Sequence, residues 1–309
     1  MTNRKSRRAL NARAGRAGNK QPFPTHAAAD HATANGEGRK IFTRAIDNLA
    51  IVGGLSIQVS LVCKGAPTTR GGAMASMVHG KMIAHARSIG AITRSPLFDH
   101  SGILDLARMI MEGMTAYFYL REAVDDDEWK LRELILWLHA TTVQVRSFRG
   151  RVALDRSEQA AGYRAGRESL REQIRNNPRF AKLFPEAQEK LLNGNDIFGG
   201  GMRRAAEKTG AFADGQFDAL YSYLSQHSHS APLSFMSYER VGVDFMNPAD
   251  YQFGLAGMGI ELAAMCLRRT SLRHLDDGLQ VTPKLAVEFH AGMLNKQREL
   301  DNNYGVVFE

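Results

Sequence analysis

From Arg39 onward, apolar residues recur at intervals of three and four, the period of helices that bury one face, and strand-type alternation is almost absent. The pattern predicts helices over 40–63, 72–93, 101–122, 127–148, 155–176, 180–192, 202–209, 214–229, 250–276 and 282–299, with 232–247 reading as a hairpin or loop. The implied fold class is all-α, a multi-helix bundle of about nine or ten helices. Several boundaries have a chemical reason. Asp99 and Ser101 suit the cap of the third helix, the acidic run Asp125 to Asp127 suits the positive end of the fourth, and Pro178, Pro248 and Pro283 stand at starts or breaks.

Before Arg39 the pattern is lost. Residues 1–38 are rich in Arg, Ala, Gly and Asn and hold no large aliphatic side chain after Leu10. Such a segment buries too little apolar area to offset the entropy of ordering it, so it reads as a disordered basic arm. The chain's net charge of +8 is concentrated there, on Arg4, Lys5, Arg7, Arg8, Arg13, Arg16 and Lys20, and the remaining 289 residues stand at +1. Nucleic acid, held through phosphate contacts of the arm, is therefore an expected partner. An anionic membrane surface, an organelle-targeting role or a plain solubilising tail fits the same composition. The expected organisation is the arm (1–38), a helical domain (39–300) and a C-terminal tail (301–309). The more charged stretch 149–210, broken at Gly194 to Gly201, reads as a peripheral excursion.

Two apolar stretches, Leu49 to Cys63 and Phe253 to Leu267, raise the question of a membrane. Ser56, Gln58 and Ser60 interrupt one and Glu261 the other, and each falls short of the ~20 residues a span requires, so both read as core helices and no membrane span is expected. Cys63 and Cys266 lie far apart in apolar surroundings, which fits reduced core thiols in a reducing compartment. With no signal-type apolar run in residues 1–40, the expected location is cytoplasmic.

Candidate chemistry comes from two polar stripes. On the apolar helix 101–122, Asp105, Arg108, Glu112 and Thr115 fall within an arc of about 80°. Arg108 and Glu112, four apart, are placed to pair. On the helix 214–229, Phe217, Leu220, Tyr221 and Leu224 form one side, and Asp218, Ser222, Ser225 and His229 share a narrow arc on another. If both stripes face inward, Arg108, Glu112, Ser225 and His229 line one pocket with a cation, a carboxylate, a hydroxyl and an imidazole. Ser, His and Asp on a single helix make no nucleophile triad, because parallel side chains do not form sequential hydrogen bonds. His227 and His229, two apart, point to nearly opposite sides and make no metal pair. No phosphate loop, His-Glu-x-x-His or Cys-x-x-Cys occurs, and Gly71-Gly72 and Gly199 to Gly201 read as hinges and caps, so neither a metal nor a cofactor is expected.

The run Leu104 to Glu112 and the run Leu220 to His229 resemble the two marks of the bacterial helical family called domain of unknown function 5677. Those marks are Arg-x-x-x-Glu on a buried helix, matched by Arg108 and Glu112, and Tyr-x-x-x-Ser-x-x-x-His, matched by Tyr221, Ser225 and His229. The resemblance covers roughly residues 100–240 and implies an all-helical fold with a shared polar cluster, and no established reaction. A weaker likeness is to the HEPN class of helical RNases and toxins, through Arg269 and His274. The mark is Arg, four to six residues, then His, and Arg94 with His100 and Arg132 with His139 fit it too, although Pro96 breaks the pair from Arg94 and Arg269 is followed by Thr270 rather than the Asn, Asp or His usual in that class.

Two functional expectations follow. In one, the Arg/Glu/Ser/His cluster binds a polar or anionic ligand, with metal-independent RNA hydrolysis the most concrete chemistry: Arg108 positions phosphate, Glu112 orients Arg108, His229 transfers protons and Ser225 donates a hydrogen bond. In the other, the chain is a non-enzymatic helical interaction module whose cluster is a closed network fixing helix register. A second copy of the chain, in a homodimer, is a further partner in view.

Overall fold

The computed structural model describes residues 36–64, 69–122, 125–149, 157–198, 200–228 and 243–279. The basic arm up to residue 35, the expected helix 282–299, most of the loop 232–247 and His229 lie outside the described residues. Those that are described form nine α-helices and one 3-10 turn, and no strand occurs among them. The helices are α1 (Glu37–Val62), α2 (Arg70–Ile92), α3 (His100–Arg121), α4 (Asp126–Arg149), α5 (Glu158–Arg175), α6 (Pro185–Leu192), α7 (Met202–Lys208), α8 (Gln216–Ser228) and α9 (Asp250–Leu279).

Local chemistry sets several of these limits. Thr69, Asp99 and Ser157 cap α2, α3 and α5 by accepting from Gly72, Gly102 and Ala160 backbone N–H groups. Asp125 accepts from the Glu128 N–H at 2.8 Å. The expected helix 180–192 is split: Phe180–Lys182 makes a 3-10 turn, and Phe184 is extended ahead of Pro185, which opens α6. Proline disfavours helical geometry in the residue before it and is well placed in a helix's first turn, which accounts for the break.

The main bundle is built on α1, α2, α3 and α9. α1 and α9 run side by side in the same direction. At their N-terminal ends the backbones touch: Asp250 accepts from the Gly38 and Arg39 N–H groups at 2.8 and 2.9 Å and so caps α1 from another helix. Glycine is required there, because a Cβ on Gly38 would stand 2.0 Å from the Asp250 carbonyl oxygen. One turn on, Gly257 lies against Ile41 and Phe42. Farther along, Glu261 accepts from Arg44 at 3.2 Å and Asn48 at 2.8 Å, and Val59 packs on Leu275 at the far end. Helix α3 supplies the centre, with Ile103, Leu104, Ala107, Ile110, Met111, Met114 and Tyr117 all essentially inaccessible. α8 runs antiparallel to α3 along its outer face, and the short α7 packs on both.

A second, smaller core forms where α4 meets α5, the 3-10 turn and α6, from Leu131, Leu134, Ile135, Leu138, Ile174, Phe180 and Leu191. It joins the main bundle through the ion pair Arg70 with Glu133 at 2.7 Å, through Arg132, which donates to the Tyr119 carbonyl and stacks on its ring, and through Trp129 against Gly71. Of the two apolar stretches, α9 is buried on a broad face. α1 differs: it is long and apolar enough to cross a membrane by length and composition, and only 28% of its most apolar 18-residue window is buried.

Candidate functional site

The two predicted stripes meet along the seam between α3 and α8. Arg108, on α3, donates from Nε to Glu112 Oε1 at 2.8 Å, and from Nη2 to the Tyr221 hydroxyl of α8 at 2.9 Å. Its guanidinium carbon also lies 4.7 Å from the centroid of the Tyr221 ring. Partial burial disfavours the charge, but Glu112 and Tyr221 outweigh it and hold the guanidinium's pKa above its ordinary value. The pair is not sealed in, since the Arg108 and Glu112 side chains are 15% and 31% exposed. Thr115, the last member of the α3 stripe, turns back on its own helix and donates to the Met111 carbonyl.

Toward the N-terminal end of α3 the seam changes character. His100 and His227 face each other with ring centroids 6.2 Å apart, and Phe245 stacks near His100. Burial, opposed by Asp105, lowers the pKa of His227. Burial and the neighbouring His227, opposed by Asp99, lower that of His100. Both imidazoles are therefore neutral near pH 7. Tyr223 of α8 shares a hydrogen bond with Tyr251 of α9, and burial raises the pKa of both phenols. Asp105 Oδ1, Ser225 Oγ and His227 Nδ1 are each buried without a hydrogen-bond partner among the described residues.

Of the four candidates, the structure brings together Arg108 and Glu112, places Ser225 on the facing helix, and leaves His229 outside the described residues. The α8 stripe divides. Asp218 pairs with Arg203 of α7 at 2.7 Å and Ser222 is exposed, while Ser225 turns inward. Tyr221, assigned by spacing to the apolar side, makes the contact across the seam. In the sequence His227 stood out only against His229, two residues on, and His100 only as the histidine spaced from Arg94.

A second polar cluster ties α1, α2, α3 and α9 together in the core. His79, fully buried, contacts Ser60 Oγ through Nδ1 at 3.2 Å and Ser271 Oγ through Nε2 at 2.8 Å. Ser56 donates to the Val52 carbonyl, and the single hydroxyl hydrogen of Ser271 is taken by Ser56 Oγ or the Leu267 carbonyl. Ser271 can then only accept from His79, which puts the proton on Nε2 and leaves Nδ1 to accept from Ser60. Burial, with His274 adding to it, lowers the His79 pKa to about 3. An imidazole so weakly basic takes no proton from Ser60 near neutral pH, and the cluster acts as a register lock. His274 stands beside it, with Nδ1 3.3 Å from the Tyr117 hydroxyl. Arg269 points elsewhere, donating to the Thr209 carbonyl at 2.6 Å. The members of a further spaced pair are divided too, Arg132 on Tyr119 and His139 on the Gly194 carbonyl.

Fold and site together define a class: an all-α bundle carrying a half-buried seam of charged, hydroxyl and imidazole groups between two facing helices. Compared with known proteins, the chain matches no family model, no curated protein and no solved structure.

Proposed function

We propose that the α3–α8 seam binds a small polar ligand, which donates a hydrogen bond to Asp105, exchanges others with Ser225 and His227, and lies along the wall formed by Arg108, Glu112 and Tyr221. The observation that carries this reading is the set of three buried, unpartnered polar atoms on facing turns. Buried polar groups in folded proteins are nearly always hydrogen-bonded, and orphaning one costs on the order of 1–3 kcal/mol. Two carboxylates, one guanidinium and two neutral imidazoles favour a neutral or cationic polar molecule over a bare anion. Metal-free cleavage of RNA is a separate form of the reading, with a ribose hydroxyl as the donor and Arg108 facing phosphate, and the surplus of carboxylates counts against it.

The test is a thermal-shift screen of nucleosides, nucleotides, amino sugars and polyamines on wild type, Ser225→Ala and Asp105→Asn. It is joined by an RNA-cleavage assay in EDTA on wild type, His229→Ala and His274→Ala. A donor-bearing compound is expected to raise the melting temperature of wild type and to lose most of that effect on both variants. Ser225→Ala itself should melt at or above the wild-type temperature, since it removes an unpaired buried hydroxyl.

A second reading, the non-enzymatic interaction module, is favoured by the engagement of Arg108 on both sides of the seam, which would fix the register of α3 on α8. No shift with any compound, together with a clear loss of stability in Ser225→Ala, would overturn the first reading in favour of the second. Loss of RNA cleavage in only one of the two histidine variants would identify the proton carrier.

A further inference from the structure

α1 and α2 form an antiparallel hairpin whose outer side is open. Between them runs a groove of about 740 Å³, floored by Ala50, Gly53, Gly54 and Ile57 from α1 and by Ala84, Gly90 and Ala91 from α2. Its rim carries Arg87 and Arg94, and no acid lines it. At the hairpin end the apolar strip continues to Leu61 and Met77, which are 58% and 74% exposed. A methyl group on Gly53, Gly54 or Gly90 would meet nothing within 4 Å. Glycine inside a helix costs about 1 kcal/mol relative to alanine. The described packing supplies no reason for these three, whereas a close-lying occupant would.

The occupant should therefore be apolar on one side, carry acids and avoid excess positive charge. Three segments of this chain lie outside the described residues beyond the short gaps. Residues 1–35 bring seven cations to a rim already positive and have no large aliphatic side chain after Leu10. Residues 229–242 are anchored at both ends, on α8 and at Asp244, and read as loop. Residues 280–309 fit better. At helical spacing Leu285, Ala286, Phe289, Met293 and Leu300 fall within an arc of about 100° that also holds Lys296, and Glu288, Glu299 and Asp301 fall outside it. The point of attachment also fits. α9 ends beside the end of α1, where Leu275 packs on Val59 and Cys63 Sγ lies 3.6 Å from the His274 carbonyl, at the groove's open end. Five residues reach at most ~17 Å, enough to pass over one helix of ~10 Å diameter.

We propose that the α1–α2 groove is the docking site of the chain's own C-terminal segment, residues 285–301, which enters at Leu61 and Met77 and runs toward Arg94. In that direction Glu299 and Asp301 come to the Arg94 end, while Glu288 stays near the Met77 end.

The test uses the full chain with a photoreactive benzophenone analogue of phenylalanine at position 289, alone and combined with Ala84→Glu, which sets a carboxylate on the groove floor. Both proteins are first checked for helical content by circular dichroism. The expected result is a cross-link at the mass of one chain that maps to peptides containing 46–57 or 84–94, with yield at least tenfold lower in Ala84→Glu. Cross-links to another surface, cross-links at twice the mass, which would mean that a second copy fills the groove, no cross-link at all, or an unchanged yield in Ala84→Glu would each overturn the proposal.

Discussion

An arginine four residues before a glutamate is ordinary on any helix; what distinguishes Arg108 is a tyrosine on the opposing helix whose hydroxyl accepts its hydrogen bond and whose ring lies against its charge. Tyr221→Phe separates these roles by keeping the ring and deleting the acceptor. Its expected cost is about 1 kcal/mol in urea unfolding, and Tyr221→Leu should cost about 1 kcal/mol more as the ring is lost too. Equal stability of all three proteins would show that the contact contributes nothing. His79 gives a pH prediction. Its folded pKa lies below the ordinary 6.5, at about 3, so the unfolded chain binds the proton more tightly. The stability this group preserves is complete above pH 6.5 and is lost as pH falls toward 3, by about 1.4 kcal/mol per unit. His79→Gln, with a donor and an acceptor but no proton to gain, should lose about 2 kcal/mol less than wild type between pH 6.5 and 5. Urea titrations at both values read this directly, and parallel losses would mean that the ring is not held neutral. At this scale the sequence was partly legible. Arg108, Glu112 and Ser225 stood out because helical period gathered them, and Tyr221 because the family resemblance named it. His100 and His227 did not, since their pairing depends on α8 running antiparallel to α3, which no local pattern encodes.

Among the elements, every helix expected between residues 40 and 276 has a counterpart, with 180–192 alone split ahead of Pro185, because capping side chains, prolines and the 3.6-residue period leave little choice. What the period cannot express is how closely two helices approach. Gly38, read from the sequence as the end of the arm, and Gly166, read as inside a helix, both prove helical, yet a Cβ on the first meets the Asp250 backbone and one on the second meets nothing. Gly38→Ala should therefore destabilise by about 1–3 kcal/mol through overpacking, whereas Gly166→Ala in α5 should stabilise by about 0.5–1 kcal/mol. Thermal unfolding of both variants would reveal the opposite signs, and shifts in the same direction would contradict the close approach of α1 and α9. The open strip along α1 was illegible for a related reason: the apolar count of Leu49 to Cys63 marks a buried helix, and only the positions of α2 and α9 show which flank stays bare.

For the molecule as a whole, the two cores predict two responses to damage. Leu138 is fully buried in the smaller core, and Leu138→Ala should cost about 2–5 kcal/mol there. In amide hydrogen exchange the loss of protection is expected to concentrate in α4 to α6, leaving α1, α2, α3 and α9 nearly unchanged. A uniform loss across all helices would mean that the cores unfold as one. The division was only half visible in sequence, because the charge of 149–210 marked a periphery while α4, apolar enough to belong anywhere, gave no sign of which core it serves.

The cap that Asp250 places on the start of α1 joins residues 212 apart in the chain. On a ribosome adding ~5–20 residues per second, the first helix emerges roughly 10–40 s before the helix that caps and covers it exists. Throughout that interval α1 is a long apolar helix lacking its main neighbour, recognisable to any chaperone that samples nascent chains. The newborn chain thus has a built-in waiting time, set by where its last partner is encoded rather than by how fast the finished bundle folds.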